Sequence, residues 1–376
     1  MSPRWLFITI LAIGCAKKSD APKDKGLSID RVARHVRSDV VDKRGWAVDV
    51  RDALRGIGRP VRPATVCQVL AVIEQESGYA ADPAVPGLGK VVSGELDELF
   101  GKLGPVGAPV RRALLDHVAE GTGQTFEARL SGLKTEREAD LLYREIVDFH
   151  RERHPAAARA MDVLAPNMVE RHNPITTAGS MQVKVDWSSQ RPESAGLTTA
   201  QVRDLLYTRR GGVQYGTARL MDYPADYDSP LFRFADFNAG AYASRNAALQ
   251  AMLTDLMGTA LALDGDMLIY DKKGRPSSKD SNTLKVLIAF AASVGISERQ
   301  ARRDARLEKD DEFAHTETIQ ALRRAWRQAN PGKPPRARLP DVALDSPKMK
   351  SGRTTAWFAN NVMRRYNDCL KRGKGD

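Results

Sequence analysis

Cysteine is scarce in this chain, with three residues in 376. That excludes a disulfide-stapled scaffold and a cysteine-rich zinc module. No stretch sustains the apolar–polar alternation of a half-buried strand between turns, which argues against a β-rich fold. No internal repeat is visible. There is no glycine-rich loop to cradle a phosphate, and no convincing Ser-His-Asp or Cys-His arrangement for nucleophilic catalysis. What is present is ordinary for a globular protein, 42% hydrophobic and 28% charged residues, so a disordered or fibrous chain is excluded. At roughly 150 residues per domain, the length fits one large domain or two modest ones. Lys and Arg (58) exceed Asp and Glu (47), a net charge of +11. That balance favours polyanionic partners: nucleic acid, anionic lipid or an anionic wall polymer.

The first fifteen residues set the expected compartment. Arg4 supplies a positive start, and residues 5–13 form an almost wholly apolar run of nine. A bilayer span takes ~20 apolar residues, so the run fits a signal-peptide core. It ends Ala12-Ile13-Gly14-Cys15, which resembles a bacterial lipobox, in which Cys15 is lipidated and becomes the first mature residue. The alternative is a plain secretory signal with an incidental cysteine. Ala16, rather than Asp, follows the cysteine. By analogy with lipoprotein sorting, this implies an anchor in the outer membrane. Residues 1–14 are then the signal peptide, and residues 15–27 the lipidated cysteine and a polar, flexible tether. Export also argues against nucleic acid as a partner. Cys67 and Cys369 remain in the mature body. In an oxidising compartment they are either bridged or two buried free thiols, and the sequence leaves both open.

Helical patterns run along almost the whole chain, so the expected class is mainly α. The clearest spans 64–77: Val66, Val69, Leu70 and Ile73 share one stripe, with Pro63 before it and Gly78 after it. Further helices are expected at 28–37, 46–55, 95–102, 109–120, 126–133, 136–154, 156–171, 198–207, 212–223 and 231–257. In the last third they are expected at 283–294, 298–307, 315–328 and 354–372. Met267-Leu268-Ile269-Tyr270 reads as a short strand. Residues 330–339 read as a Pro-rich basic linker.

Three short segments carry chemistry. Glu76, beside Ser77 and Gly78, continues the apolar stripe of 64–77, while Glu74 points off it. A carboxyl aimed into an apolar face, near the negative end of a helix dipole, is held protonated. A protonated carboxyl is what a general acid for glycosidic cleavage requires. The bland reading is a solvated glutamate in a last helical turn. Next, Gly179-Ser180-Met181-Gln182 combines close backbone approach with an amide that can donate and accept. Here the bland reading is a tight loop on a core. Third, Phe237-Asn238-Ala239-Gly240 places an aromatic, an amide and small residues together; the bland reading is a helix–helix contact.

In order and chemistry the three resemble the lytic transglycosylases of the lysozyme-like superfamily, which read Glu-Ser-Gly, then Gly-x-Met-Gln, then Tyr-Asn-Ala-Gly. The Gly212-Val213-Gln214-Tyr215 segment resembles that family's helix carrying a tyrosine before the third motif. The resemblance covers residues ~60–90 and ~173–255, less than half the chain. It implies a lysozyme-like helical domain over 28–262, with a large helical insertion at about 84–172, then a basic, mostly helical extension over 263–376. It also implies cleavage of peptidoglycan between N-acetylmuramic acid and N-acetylglucosamine, giving 1,6-anhydro products. Glu76 would be the sole acid and base. Ser77, Gly179, Met181, Gln182, Tyr215, Phe237, Asn238 and Gly240 would line the sugar cleft, with no cofactor and no metal. Partners would be peptidoglycan, the outer membrane through the lipid, and other envelope proteins. The family's third-motif tyrosine is Phe237 here, with Tyr242 and Tyr215 as candidate substitutes. The layout also resembles a family of outer-membrane lipoproteins of unassigned function, which implies location but no chemistry. An envelope protein that keeps the fold only to bind peptidoglycan is the alternative.

Other candidates are weaker. His150 and His154 share a helix face at a zinc-compatible spacing, but Arg151 and Arg153 flank them. The pair 283–294 and 298–307 has a helix-turn-helix spacing, and reads as structural in an exported protein. Arg323, Arg324, Arg327, Lys333, Arg336 and Arg338 give a basic face, which is either a solvated surface or an attraction to anionic envelope polymers.

Overall fold

The computed structural model describes residues 26–119, 121–164, 168–271, 274–343 and 353–374. The signal peptide, Cys15 and nearly all of the tether lie outside the described residues. The chain is mainly helical: α1 (Ile29–His35), α2 (Lys43–Gly56), α3 (Pro63–Glu76), α4 (Leu88–Gly101), α5 (Gly107–Leu115), α6 (Phe126–Ser131), α7 (Glu136–Arg153), α8 (Pro155–Leu164) and α9 (Met168–Arg171). A two-stranded antiparallel hairpin follows, β1 (Thr177–Ala178) and β2 (Val183–Lys184). Then come α10 (Val185–Ser189), α11 (Thr199–Leu206), α12 (Arg209–Met221), α13 (Pro230–Ala239), α14 (Ala243–Met257), α15 (Asn282–Ser293), α16 (Glu298–Ala305), α17 (Glu317–Ala329) and α18 (Thr355–Arg372).

Three local expectations are corrected. The stretch 231–257 is two helices, because Gly240 (φ 125°) and Tyr242 (φ 64°) break it. Buried Asp236 fixes the reversal by accepting from the Tyr242 N–H at 3.1 Å, the Ser244 N–H at 2.7 Å and the Tyr227 hydroxyl at 2.7 Å. The stretch 156–171 is likewise two helices, α8 and α9. Residues 267–270 form no strand. The Met267 and Leu268 N–H groups donate instead to the buried Glu308 carboxylate, joined by the Tyr270 hydroxyl, so two N–H groups a sheet would have taken are satisfied there, and Tyr270 makes an isolated bridge to Pro276.

Helix α3 runs through the first core. Val66, Cys67 and the run Val69–Ile73 are buried, so the helix is covered well beyond one stripe. Helices α1, α2, α12 and α18 pack on it. The last of these comes from the far end of the chain: Phe358, Ala359, Val362, Tyr366 and Cys369 all join this core. The expected extension over 263–376 is therefore not one unit, since α18 returns to the first core. A second core gathers Leu249, Met252 and Leu253 of α14 with Leu284, Leu287 and Phe290 of α15, and Ile319 and Leu322 of α17. The helices of the expected insertion share the first core through Phe126, Leu130, Leu142 and Phe149. Buried Asp140 on α7 ties them to the body. It accepts from Asn173 Nδ2 at 2.6 Å and lies 3.3 Å from the Arg203 guanidinium.

Cys67 and Cys369 are bridged, with Cα atoms 5.6 Å apart across 302 residues of sequence. His35 sits against the bridge, its Nδ1 donating to the Cys369 carbonyl at 3.0 Å. Beside it the Arg372 guanidinium donates to Glu74 at 3.1 Å. Closing so long a loop stabilises a fold by about 2–5 kcal/mol. Replacing both cysteines with alanine should lower the urea unfolding free energy by that amount. Reducing agent should do the same to the wild type and nothing to the variant. Equal midpoints with and without reductant would contradict the bridge.

Candidate active site

Helix α3 ends because Gly78 (φ 59°) and Tyr79 (φ 70°) both turn left-handed. The Ser77 hydroxyl donates to the Ile73 carbonyl at 3.0 Å, so it serves the helix end rather than a substrate. The two acids of this last turn meet opposite surroundings. Glu74 lies among arginines, with Arg372 at 3.1 Å and Arg37 and Arg365 at 4.0 Å. Glu76 meets no cation and no hydrogen-bond donor among the described residues. Burial pushes its pKa up to about 8, and the neighbouring Glu136 carboxylate adds to the rise. A carboxylic acid of that kind is protonated at neutral pH and retains a proton to give.

Glu136 is the residue that the sequence reading missed. It opens α7 and is buried. The chain leaving α3 delivers it. The Thr135 hydroxyl donates to Asp82 at 3.0 Å, and the Val85 N–H donates to the Lys134 carbonyl at 2.8 Å. Thr135 and Glu138 form a capping box that fixes the start of α7. That box is visible in the sequence, but nothing there places it near a glutamate sixty residues earlier. The hydroxyl of Tyr207 is buried with no hydrogen-bond partner among the described residues. Burial and the charges of Glu136, Asp140 and Asp82 hold it firmly protonated. Glu76, Glu136 and Tyr207 thus form one electrostatically linked group.

The second motif is the turn of the hairpin. Gly179 has φ 80°, and a methyl group there would lie 2.1 Å from the Leu206 carbonyl oxygen, next to Tyr207. The hairpin rests on the small-residue face of α12. A Cβ on Gly212 would meet Ser180 Oγ at 2.8 Å, and one on Gly216 would meet Met181 Sδ at 2.3 Å. Met181 is therefore core, fully buried beneath the turn. Tyr215 is core too, its hydroxyl paired with Ser194 Oγ at 2.7 Å. Both were expected to line a cleft, and both instead lie in the core. Gln182 adopts φ 50°. Its amide accepts from Thr177 Oγ1 at 2.9 Å and donates to the Gly179 carbonyl at 3.3 Å.

In the third motif Phe237 packs partly buried on the first core. Asn238 is exposed, and its Oδ1 accepts from the Thr355 hydroxyl at 2.8 Å, at the start of α18. Helix α12 contacts α3, α13 and β2, so one helix underlies all three motifs. Among the described residues, four non-glycine residues have positive φ: Asp42, Tyr79, Gln182 and Tyr242. Three of the four lie within or just past the three motifs. Backbone strain of this kind costs of order 1–3 kcal/mol per residue and gathers at functional sites.

The two histidines meet different surroundings. His150 Nε2 donates to the Leu114 carbonyl at 3.1 Å, and His154 is exposed at the end of α7. Among the described residues, the metal-type cluster is His35, Cys67 and Cys369, whose two sulfurs are bonded to each other. No helix of the described residues is long and apolar enough to cross a membrane.

A family described as protein of unknown function (DUF1615) matches over residues 39–372. The chain is 35% identical over 374 residues to the uncharacterized protein YaiW of Escherichia coli (strain K12), covering 97% of each. No solved structure gives a significant match.

The raised acid sets a pH dependence. Glu76 binds its proton more tightly folded than unfolded. Its contribution to stability is fully present below pH 4.5 and is lost as pH rises to about 8, by up to about 1.4 kcal/mol per pH unit. Glu76→Gln should flatten the urea-midpoint profile across that window, whereas parallel profiles would refute the assignment. Glu136→Gln removes the like charge and should move the inflection to lower pH. Gly179→Ala should cost at least about 1 kcal/mol in the same melts, because both its φ and the Leu206 carbonyl oppose a methyl group.

Proposed function

This chain belongs to the DUF1615 family, and we propose that it is an envelope lipoprotein that cleaves peptidoglycan glycan strands, with Glu76 as acid and base. The observation that carries the reading is the state of Glu76: a half-buried carboxyl at a helix end, without a cation, held protonated near neutral pH. The strained turn of the hairpin at Gln182 supports it, because backbone strain of this kind gathers at functional sites. The Cys67–Cys369 bridge supports export, since such bonds persist in oxidising compartments. The lipobox at Cys15 supports an anchor in the outer membrane.

In the proposed step, Glu76 gives its proton to the oxygen joining N-acetylmuramic acid to N-acetylglucosamine. The substrate's own acetamide stabilises the cationic carbon. Glu76, now a carboxylate, takes the proton from the muramyl C6 hydroxyl as that oxygen closes on C1, which yields a 1,6-anhydro sugar. Glu136 acts through Glu76: its negative charge makes the proton harder to lose before the sugar arrives. Tyr207 lies in the same polar group and is a candidate to hold the sugar.

One specific observation favours a second reading, in which the lysozyme-like fold binds peptidoglycan without cutting it. The third motif lacks the tyrosine hydroxyl, and its Asn238 amide oxygen is already taken by Thr355.

Wild-type protein incubated with purified sacculi should release anhydro-muropeptides, detected by mass, and Glu76→Gln should release none. The rate should fall above about pH 8 as the acid form of Glu76 is lost. Sacculus binding without release by either protein would reject cleavage and establish the binding reading.

A further inference from the structure

A sizeable cavity lies away from Glu76. It lies among α4–α9, has a volume of about 750 Å³, and no residue of the three motifs lines it. That size is typical of a small-molecule site, of roughly 300–1,000 Å³. Its walls are aliphatic, with Leu96, Leu114, Leu130, Leu142, Ile146 and Val147 among them. Two polar groups deep in the wall already have partners. The Tyr143 hydroxyl donates to the Val169 carbonyl at 2.7 Å, and His150 donates to the Leu114 carbonyl. A sugar or nucleotide would bury its hydroxyls there without partners, which is costly. An unbranched apolar ligand pays no such penalty.

The mouth narrows the choice further. Leu99 and Met161 line the cavity and are also exposed, so they mark its opening. Glu95, Glu98 and Lys102, also lining and exposed, put both signs of charge along one side of α4. That mixture complements a zwitterionic headgroup. Helix α8 forms part of the wall through Ala157, Ala158 and Met161. Among the described helices of eight residues or more, it alone buries no residue. Beyond the wall, its Val163 and Leu164 are 81% and 84% exposed. Exposed apolar residues also follow Leu99 at the end of α4, at Leu103, Val106 and Val110. A helix with apolar groups both toward a cavity and toward solvent is suited to sit where that cavity opens to hydrocarbon.

We propose that the cavity among α4–α9 takes one acyl chain of a phospholipid, with the headgroup at the charged rim of α4 and the exposed end of α8 against the bilayer. This site is independent of Glu76 and of the reaction proposed there. It would make the α4–α9 region a lipid-binding element beside the candidate active site.

The test uses full-length protein and vesicles of phosphatidylethanolamine and phosphatidylglycerol in which one acyl chain carries a diazirine. After irradiation, tryptic peptides are searched for adducts of intact-phospholipid mass. Adducts are expected on peptide 145–151, which carries Ile146, Val147 and His150 of the inner wall. They should fall in Ile146→Trp, which narrows the cavity at its inner wall. Leu99→Trp, at the exposed mouth, repeats the test if the first variant fails to melt cooperatively. Adducts confined to peptide 160–171, unchanged by either tryptophan, would mean bilayer contact without chain entry and would overturn the proposal. So would labelling of 145–151 by a free diazirine fatty acid but not by the phospholipid, or no labelling at all.

Discussion

Helix α3 holds its place because α18 is fastened along it at several points. The Cys67–Cys369 bond lies in the second turn of α3, the Glu74–Arg372 pair lies toward the end that carries Glu76, and Phe358, Ala359, Val362 and Tyr366 of α18 join the same core. The charged pair matters for the chemistry as well as for the packing. It draws Arg37, Arg365 and Arg372 to Glu74 and leaves Glu76 without a cation. Two glutamates separated by one residue therefore have opposite electrostatic surroundings. Were the arginines to move one face round the helix, Glu76 would become an ordinary ion pair with no proton to give.

The hairpin seats on α12 because side-chain volume is left out there. Gly212 and Gly216 let the hairpin settle onto α12, which is why Met181 and Tyr215 end in the core while Gly179 and Gln182 stay at the turn. Asp236 then makes the abrupt reversal between α13 and α14 affordable to the backbone, with two N–H groups and a tyrosine hydroxyl converging on one carboxylate. Helix α14 carries the chain from there into the second core. Its buried Arg245 and Asn246 reach the backbone carbonyls around Glu308, so polar contacts as well as apolar ones join the two cores.

Much of this was legible in the residues. The helical class, the stripe of α3 and the special position of Glu76 all follow from local spacing. Boundaries failed where a buried side chain overrode a local pattern. Met267–Tyr270 has the composition of a strand, yet Glu308, some forty residues on, captures its donors. The run 231–257 has helical composition throughout, yet Asp236 caps a break inside it. Glu136 and Tyr207 were invisible for a different reason. Each looks unremarkable among its sequence neighbours, and only the stitching of Asp82 to Thr135 and of Gly179 to Leu206 brings them into one group. Spacing in sequence carries no distance, so the residues alone do not pair Cys67 with Cys369. Met181 and Tyr215 show the converse error, residues of the right type whose motif position did not guarantee an open surface.

The pairing of α3 with α18 also dictates an order of events. Helix α3 is complete by residue 76, but the surface that covers it is not made until residue 372. Contacts of such long range are slow to form. A chain delivered N-terminus first therefore presents α3 to its surroundings with one side bare for most of its emergence. During that interval Cys67 has no partner, and Glu76 sits on a helix that is not yet buried, so its carboxyl remains an ordinary solvated acid. The last helix acts as a latch. Until it closes, Cys67 stays unpaired and α3 stays half covered, and a single docking event ends both conditions together.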